Sequence, residues 1–287
     1  MSSSLFRHGS PLMALALVLV AGRAQAATRE MRGGLGLQVN PLGLRAEVEV
    51  NWKQTLFHST RPLLKDAHVA FGIGNELSPA YTRLQGWVEV SPLSILDLRA
   101  GAEGVGYFGS FGNLVGLPSY DSDFSDDARK ALQDQAVARV GRRLYLSPVL
   151  KLRLGRLAMR AAAVFESWQV KDAPQVVFYE PFRGTLLNAG GDSLVSGSNL
   201  LLIDVTRERT QRVLVGVFHD YLNVWDAPQN RKQRLGPIAL IALGERRFGG
   251  RDPVLNVGVL DYLEAPNRRG VGGFLAVTMS FRRGPRP

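Results

Sequence analysis

Histidine and acidic side chains are the first residues to consider for chemistry, because an imidazole changes its charge near neutral pH. His219 is followed directly by Asp220, and His58 lies nearer the N-terminus. In a strand, consecutive side chains point to opposite faces, so His219 and Asp220 cannot enter the same site. The surrounding pattern places His219 outward and Asp220 inward, and no serine is spaced to act with either. We therefore predict no catalytic residue, and a lipid-modifying hydrolase is kept as an alternative function.

Four aspartates are concentrated between positions 121 and 127. Calcium accepts such oxygen ligands, but the spacing is not that of an EF-hand loop, and neither a glycine nor a terminal glutamate follows. Ser125 and the two aspartates after it instead fit the N-cap and first turn of a helix over 128–135. The segment therefore predicts a helix start, and the sequence predicts no metal site and no cofactor.

Charged residues that could act on a solute recur at every second position of several segments. Between 43 and 54, Arg45, Glu47 and Glu49 alternate with Ala46 and Val48. A β-strand with this pattern has one polar and one apolar face, whereas a helix would scatter the charges around its circumference. If the polar face encloses a lumen, the predicted lumen-lining residues are Arg45, Glu47, Glu49, Arg83, Arg99, Glu103, Arg143, Lys151, Arg153, Arg160 and Glu166.

Turn signals divide the chain into about twelve such strands. We expect them at 34–40, 43–54, 67–75, 80–91, 95–107, 137–154, 156–169, 194–205, 211–225, 234–245, 253–264 and 270–281. The two longest connections, 108–136 and 170–193, then emerge at the same end of a barrel, the extracellular end.

Two groups of aromatic residues accompany these long loops. They are Tyr107, Phe108, Phe111, Tyr120 and Phe124 in the first, and Phe178, Tyr179 and Phe182 in the second. We interpret them as an interfacial girdle and loop core, with a ligand-binding vestibule as the alternative.

Strand length and composition distinguish a membrane barrel from a soluble β-sandwich, which alternates in the same way. The expected strands run to about 10–14 residues against a usual 5–6, and a tilted membrane strand needs roughly 9–11 residues. Their apolar face consists mostly of Leu, Val and Ala rather than of the Phe and Trp that a packed core uses. We therefore predict an all-β fold, a transmembrane antiparallel up-and-down β-barrel of about twelve strands.

The first 26 residues have the organisation of a cleavable signal peptide. Arg7 gives a basic start, 12–21 is an apolar run of about ten residues, and 24–26 read Ala-Gln-Ala, a small-x-small cleavage pattern. We predict a signal peptide over 1–26 and a barrel domain over 27–287, which carries a net charge of +8. The chain has no cysteine, so an exported product must be held together by means other than disulfides.

The C-terminal segment 270–281 reads GVGGFLAVTMSF. One face of it holds Gly273, Leu275, Val277, Met279 and Phe281. The segment resembles the last strand of bacterial outer-membrane β-barrel proteins, which has apolar residues at alternate positions, a final aromatic residue and a glycine upstream. The resemblance implies that Gly273, Met279 and Phe281 belong to the signal read by the barrel assembly machinery. It also implies location in the outer membrane of a Gram-negative-type bacterium, with lipids and lipopolysaccharide as partners. The basic tail 282–287 departs from the family pattern, because typical members stop at the aromatic residue.

These features favour a narrow outer-membrane channel. Twelve strands enclose less space than the roughly 16–18 of aqueous porins, so only small solutes would pass. Basic residues concentrated in 137–154 and 156–169 would favour anionic solutes. Near-equal numbers of acids also fit a closed, salt-bridged lumen, so the alternative is a structural or surface-interaction barrel with a plugged lumen. The arginine-rich segments alternate with lipid-facing leucines, and we predict no nucleic-acid partner.

Overall fold

The computed structural model describes residues 27–110, 114–173, 175, 177–206, 212–243, 251–266 and 273–283. The predicted signal peptide lies outside the described residues, as do 207–211, 244–250 and 267–272. In chain order the described strands are β1 (Thr28–Val39), β2 (Gly43–Thr55), β3 (His68–Leu77), β4 (Tyr81–Leu93), β5 (Leu96–Phe108), β6 (Gly116–Leu117), β7 (Ala138–Leu154), β8 (Leu157–Val170), β9 (Val177–Glu180), β10 (Thr185–Asn188), β11 (Asp192–Asp204), β12 (Val213–Val224), β13 (Ala227–Ala242), β14 (Arg251–Glu264) and β15 (Phe274–Arg283).

Twelve of these strands close into one antiparallel barrel, which confirms the predicted fold and strand number. Neighbours along the chain pair with each other, and β1 closes the barrel on β15 over a register from Val39–Leu275 to Met31–Arg283. Closure leaves no sheet edge unpaired, so the backbone hydrogen bonds of all twelve strands are internal, as a lipid environment requires.

The remaining three strands form a separate sheet in the order β10-β9-β6, which we call the loop sheet. It is built from the two long loops, between β5 and β7 and between β8 and β11. The sequence gives no signal for this sheet. Its strands are only two to four residues long, and β6 and β9 are buried on both faces, so neither shows the alternation that predicts a strand.

Two short helical segments precede β7: α1 (Asp126–Ala131) and a 3-10 turn over Gln133–Gln135. Ser125 caps α1 by accepting a hydrogen bond from the backbone N–H of Ala128 at 3.5 Å, as predicted. Among the described residues, no helix has both the length and the apolar composition needed to cross a membrane.

The apolar face of the strands lies outside the barrel. Leu84, Leu150, Ile73 and Leu44 expose between 53% and 65% of their surface, and further exposed Leu, Val and Ile residues continue the belt around the barrel. Such an extensive exposed apolar surface is not tolerated in water. The belt is therefore the lipid-facing surface of a transmembrane barrel.

Several strand ends differ from the expected ones. β1 begins at Thr28 instead of 34, because Glu30 and Arg32 already alternate with Met31. β13 begins at Ala227 instead of 234, since 229–233 are polar on both faces and give no apolar signal. β15 spans Phe274–Arg283 instead of 270–281, so the barrel strand continues into the basic tail.

One glycine marks a close approach between two barrel strands. A Cβ at Gly216 of β12 would lie 1.8 Å from the backbone oxygen of Leu201 of β11, whereas a Cβ at Gly104 of β5 would meet no atom within 4 Å. We expect Gly216→Ala to lower the free energy of unfolding by about 1–3 kcal/mol, because the backbone must shift. Gly104→Ala is the matched control, with an expected change within about 0.5 kcal/mol. Urea titration in lipid vesicles measures both, and equal midpoints would contradict the prediction.

Candidate functional site: the lumen and the loop sheet

The strand registers decide which side chains face the lumen. Glu103 of β5 lies opposite Arg143 of β7, and Arg99 lies opposite Ser147, so alternate residues of neighbouring strands share the inner side. The same alternation places all eleven predicted lumen-lining residues on the inward face. Their contacts divide them into a buried group, a group paired in the half of the barrel away from the loop sheet, and a group without ion pairs.

Six side chains form a continuous series of ion pairs that we call the central ladder: Glu76, Arg83, Glu103, Arg143, Glu166 and Arg183. Arg83 lies 3.3 Å from Glu76 and 2.8 Å from Glu103. Arg143 also pairs with Glu103, and its Nε lies 2.6 Å from Glu166. Arg183 ends the series on Glu166, with 3.1 Å between Nε and Oε2. Three arginines and three glutamates balance one another.

The central ladder is buried at its middle, where the Arg143 side chain is 4% exposed and that of Glu166 is 0% exposed. Four donors converge on Glu166. Besides Arg143 and Arg183, they are the indole N–H of Trp168 and the hydroxyl of Ser196, both at 2.9 Å. A buried ion pair is retained only when such hydrogen bonds satisfy its remaining lone pairs. The central ladder is therefore a fixed structural element and offers no free charge to a solute.

The turn between β9 and β10 inserts Phe182 against the central ladder. The guanidinium of Arg83 lies 3.4 Å from the centroid of this ring, and the Tyr81 and Trp168 rings lie at 6.1 and 6.3 Å. Arg183 follows on the same turn and reaches Glu166 of the barrel wall. Because Arg183 is a loop residue and its partner is a wall residue, the central ladder fastens the loop sheet inside the barrel.

The predicted loop aromatics form the core beneath this turn. Phe178 and Tyr107 belong to one buried cluster with Trp168, and Phe124 and Tyr179 belong to a second. Tyr120 packs against both clusters, whereas Phe108 is 47% exposed. The loop-core interpretation is confirmed for the packed residues, and Phe111 lies outside the described residues.

Glu180, the last residue of β9, is a fully buried carboxyl group in the loop sheet. It accepts hydrogen bonds from the Tyr107 hydroxyl at 3.2 Å and from the backbone N–H groups of Phe182 and Arg183. Burial disfavours its charged form and raises the pKa of Glu180 to about 7, although these hydrogen bonds and nearby arginines act in the opposite direction. The loop sheet thus contains a carboxyl group that titrates near neutral pH.

The second group of lumen residues lies in the half of the barrel away from the loop sheet, where its basic side chains pair with acidic ones. Arg99 lies 2.8 Å from Glu89 and 3.4 Å from Glu49. Lys151 lies 2.6 Å from Asp97. Arg153 of β7 lies 3.2 Å from Asp204 of β11. Most of the basic residues that predicted an anionic solute are therefore neutralised by neighbours.

A third histidine, His68, is not among the candidate residues predicted from the sequence. Its Nε2 lies 3.3 Å from Glu89 and 3.3 Å from the hydroxyl of Ser91, which donates to Asp97 at 2.6 Å. The feature that could have identified His68 is its inward position at the start of β3, where it lies opposite Ser91 of β4. In a nucleophilic triad the acid holds one ring nitrogen of the histidine and the serine faces the other. Here Glu89 and Ser91 both lie at Nε2, and Ser91 is 1% exposed. We assign this cluster to the packing of the lumen.

Arg45, Glu47 and Arg160 form the third group. Within the part of the chain that the structure describes, none of the three has an ion-pair partner within 4 Å. Arg160 donates one hydrogen bond, to the hydroxyl of Ser198 at 3.2 Å, and both arginines are exposed to the lumen. These two cations remain available to a solute.

A cavity of about 1070 Å³ lies between the loop sheet and the barrel wall, and β1, β2, β7, β8 and β11 to β15 all contribute lining residues. Arg45 and Arg160 line it, together with Phe218 and Ile238. The loop sheet therefore fills only part of the lumen.

The side chains of His219 and Asp220 point to opposite faces of β12, as predicted. His219 faces outward, where its Nδ1 lies 3.2 Å from the amide of Asn199, and Asp220 faces inward and pairs with Arg234. Arg234 in turn lies 3.9 Å from the centroid of the Phe274 ring. His58 lies in the link between β2 and β3. The structure does not bring these groups together into a catalytic site.

The C-terminal strand lies at the seam of the barrel. Met279 and Phe281 face outward opposite Leu35 and Gly33 of β1. A Cβ at Gly33 would meet the Phe281 ring at 2.3 Å, so the glycine leaves room for this ring. Gly273 directly precedes β15. The position of these residues is known from the structure, and their role in assembly stays a prediction.

Solved structures with a similar overall shape are bacterial outer-membrane proteins. The β domain of the Bordetella autotransporter BrkA has a TM-score of 0.45 at 8% identity, with 90% of this chain and 99% of that chain covered. The translocator domain of NalP from Neisseria meningitidis has a TM-score of 0.41 at 7% identity, with 96% and 93% covered. LpxR from Salmonella typhimurium has a TM-score of 0.40 at 9% identity, with 88% and 99% covered. No family model and no curated protein matches the sequence.

Because these TM-scores lie below 0.5, the class of the protein rests on its own architecture. An even number of antiparallel strands, complete closure, an apolar outer belt and a charged lumen define an outer-membrane β-barrel. The protein is therefore an integral protein of the outer membrane of a Gram-negative-type bacterium.

Proposed function

We propose that this barrel is a narrow outer-membrane channel for small anionic solutes, with the loop sheet as its constriction. The observation that carries the proposal is the pair of cations, Arg45 and Arg160, which face the cavity without ion-pair partners among the described residues. Cations that line a pore favour the entry of anions.

The rest of the lumen fits a channel that is selective for anions and has a small conductance. The central ladder is neutral and buried, so the charge seen by a solute comes from the residues that line the cavity. The loop sheet fills the lumen beside this passage, and twelve strands already enclose less space than a porin. We therefore expect small conductance steps.

The test is the reversal potential of the purified protein in a planar lipid bilayer across a KCl gradient. We expect a potential of the sign that marks chloride selectivity. The double variant Arg45→Gln with Arg160→Gln should shift the chloride-to-potassium permeability ratio towards 1, because it removes the two unpaired cations. Lys65→Gln is the matched control, since Lys65 lies in the exposed link between β2 and β3, and it should leave the ratio unchanged.

A surface-interaction barrel with a closed lumen is the second candidate, favoured by the loop sheet and its fully buried contacts with the wall. Folded protein that inserts but conducts no current would support this candidate and defeat the channel. A cation-selective current would also contradict the proposal.

Export and assembly belong to the same proposal. We propose cleavage of the signal peptide after residue 26, and recognition of Gly273, Met279 and Phe281 by the barrel assembly machinery. Lipids and lipopolysaccharide are the expected partners of the outer belt.

A further inference from the structure

The inward face of the barrel differs between its two sides. On β12 to β15 the charged inward residues Asp220, Lys232 and Arg234 lie towards the loop sheet, and the described inward positions farther from it are uncharged. On β12 to β15 the inward positions include Phe218, Ile238, Leu240, Gly258 and Ala276, which we call the apolar wall. Phe218 and Ile238 are only partly buried and line the cavity. The strands of the apolar wall carry apolar residues on both faces, unlike β2 to β5, whose inward faces are charged.

The loop sheet covers only the upper part of this side. Phe178 and Leu187 of the loop sheet pack against Leu194, Leu222 and Val224 of the barrel. Phe218 and Ile238 belong to neither buried cluster of the described residues. Uncovered apolar surface inside a lumen favours a ligand with an apolar part.

Arg160, for which the described part of the chain supplies no ion pair, lies at the level of the apolar wall. Arg160 of β8 is opposite Leu200 of β11, and Leu200 is opposite Phe218 of β12. Since neighbouring strands lie about 4.8 Å apart, the backbones at Arg160 and Phe218 are separated by roughly 10 Å. Ser198 lies next to Arg160, and its hydroxyl can donate to a second acceptor.

We infer that the cavity binds an amphipathic carboxylate: an anionic head at Arg160 and Ser198, with an alkyl chain along Phe218, Ile238 and Ala276. The negative charge of the head complements Arg160, which has no ion-pair partner among the described residues, and the alkyl chain covers the apolar wall. The cavity volume of about 1070 Å³ is near the upper end of ligand pockets. The inference depends on the proposed function in one respect: in both, solutes must be able to reach the lumen.

Because the chain has no cysteine, a single introduced thiol reports occupancy of the cavity directly. Ile238→Cys in detergent-free phosphatidylcholine vesicles is treated with a sulfonate-bearing methanethiosulfonate reagent, with and without laurate. We expect saturating laurate to slow the modification by about 10-fold, while acetate has no effect and dodecanol protects only weakly. Lys53→Cys is the control thiol, because Lys53 faces inward outside the cavity and should not be protected.

The anionic contact is tested by adding Arg160→Gln to Ile238→Cys. The half-protecting concentration of laurate should rise by about 10-fold, the loss of one charge-assisted contact. Arg156→Gln, at the turn before β8, is the matched variant and should change nothing. Protection without any dependence on Arg160, or equal protection by dodecanol, would overturn the inference.

The two proposals fail in different ways. Chloride selectivity without laurate protection overturns the carboxylate site and leaves the channel standing. Laurate protection that depends on Arg160 supports the site even if the bilayer experiment shows no current.

Discussion

Replacing Glu166 by glutamine is expected to lower the free energy of unfolding by about 3–5 kcal/mol and to increase the single-channel conductance several-fold. The carboxylate is completely buried and accepts hydrogen bonds from Arg143, Arg183, Trp168 and Ser196. Glutamine has one acceptor oxygen and turns two N–H donors towards these groups. Removing one partner from a buried ion pair leaves an uncompensated charge, which accounts for the size of the effect.

The increase in conductance follows from the place of Arg183. It belongs to the loop sheet, and Glu166 is its anchor on the barrel wall. When this anchor is lost, the loop sheet should leave the lumen more often and widen the passage. Bilayer recordings measure the conductance, and urea titration in vesicles measures the stability.

Glu264→Gln is the matched control for Glu166→Gln. Glu264 pairs with Arg231 near the rim, where the two side chains are 29% and 52% exposed, and exposed pairs contribute at most about 1 kcal/mol. A double-mutant cycle with Arg183→Gln isolates the coupling between Glu166 and the loop sheet. If Glu166→Gln behaves like Glu264→Gln, the central ladder does not hold the loop sheet in place.

The second large effect is a dependence of stability on pH that Glu180 creates. Its pKa is about 7 in the folded protein, above the value of 4.5 for an unperturbed glutamate. Between these two values the folded state binds more protons than the unfolded state, so stability falls as the pH rises through this window. The full loss is about 3 kcal/mol above pH 7, and the stabilisation is fully present below pH 4.5.

Glu180→Gln should remove this dependence, because the amide is neutral at every pH. Glutamine has one acceptor oxygen for the two backbone N–H groups of Phe182 and Arg183, so the midpoint should fall equally at every pH and no longer change through this window. Urea midpoints at pH 4.5, 6 and 8 measure the effect, and the conductance should rise with pH only in proteins that retain Glu180. Glu264→Gln should keep the original profile. An unchanged slope in Glu180→Gln would assign the pH dependence to another group.

The sequence alone determined the barrel, because period-two alternation is a local property that each strand displays by itself. Arg45 beside Ala46, or Leu150 beside Lys151, needs no distant residue to show which side faces lipid. The twelve strands, the outer belt, the opposite directions of His219 and Asp220 and the cap at Ser125 all followed from such local patterns.

Tertiary structure decided which of the inward charges are free, because ion pairing depends on strands that meet only in the closed barrel. Arg153 meets Asp204 across β7 and β11 through the register between strands, and Arg183 reaches Glu166 through a loop that folds back into the lumen. Nothing in the neighbourhood of Arg160 along the chain distinguishes it from Arg143, yet one is exposed in the cavity and the other is buried between two glutamates. The apolar wall was likewise hidden, since continuous apolar runs such as 213–218 do not show which of their two faces is the inner one.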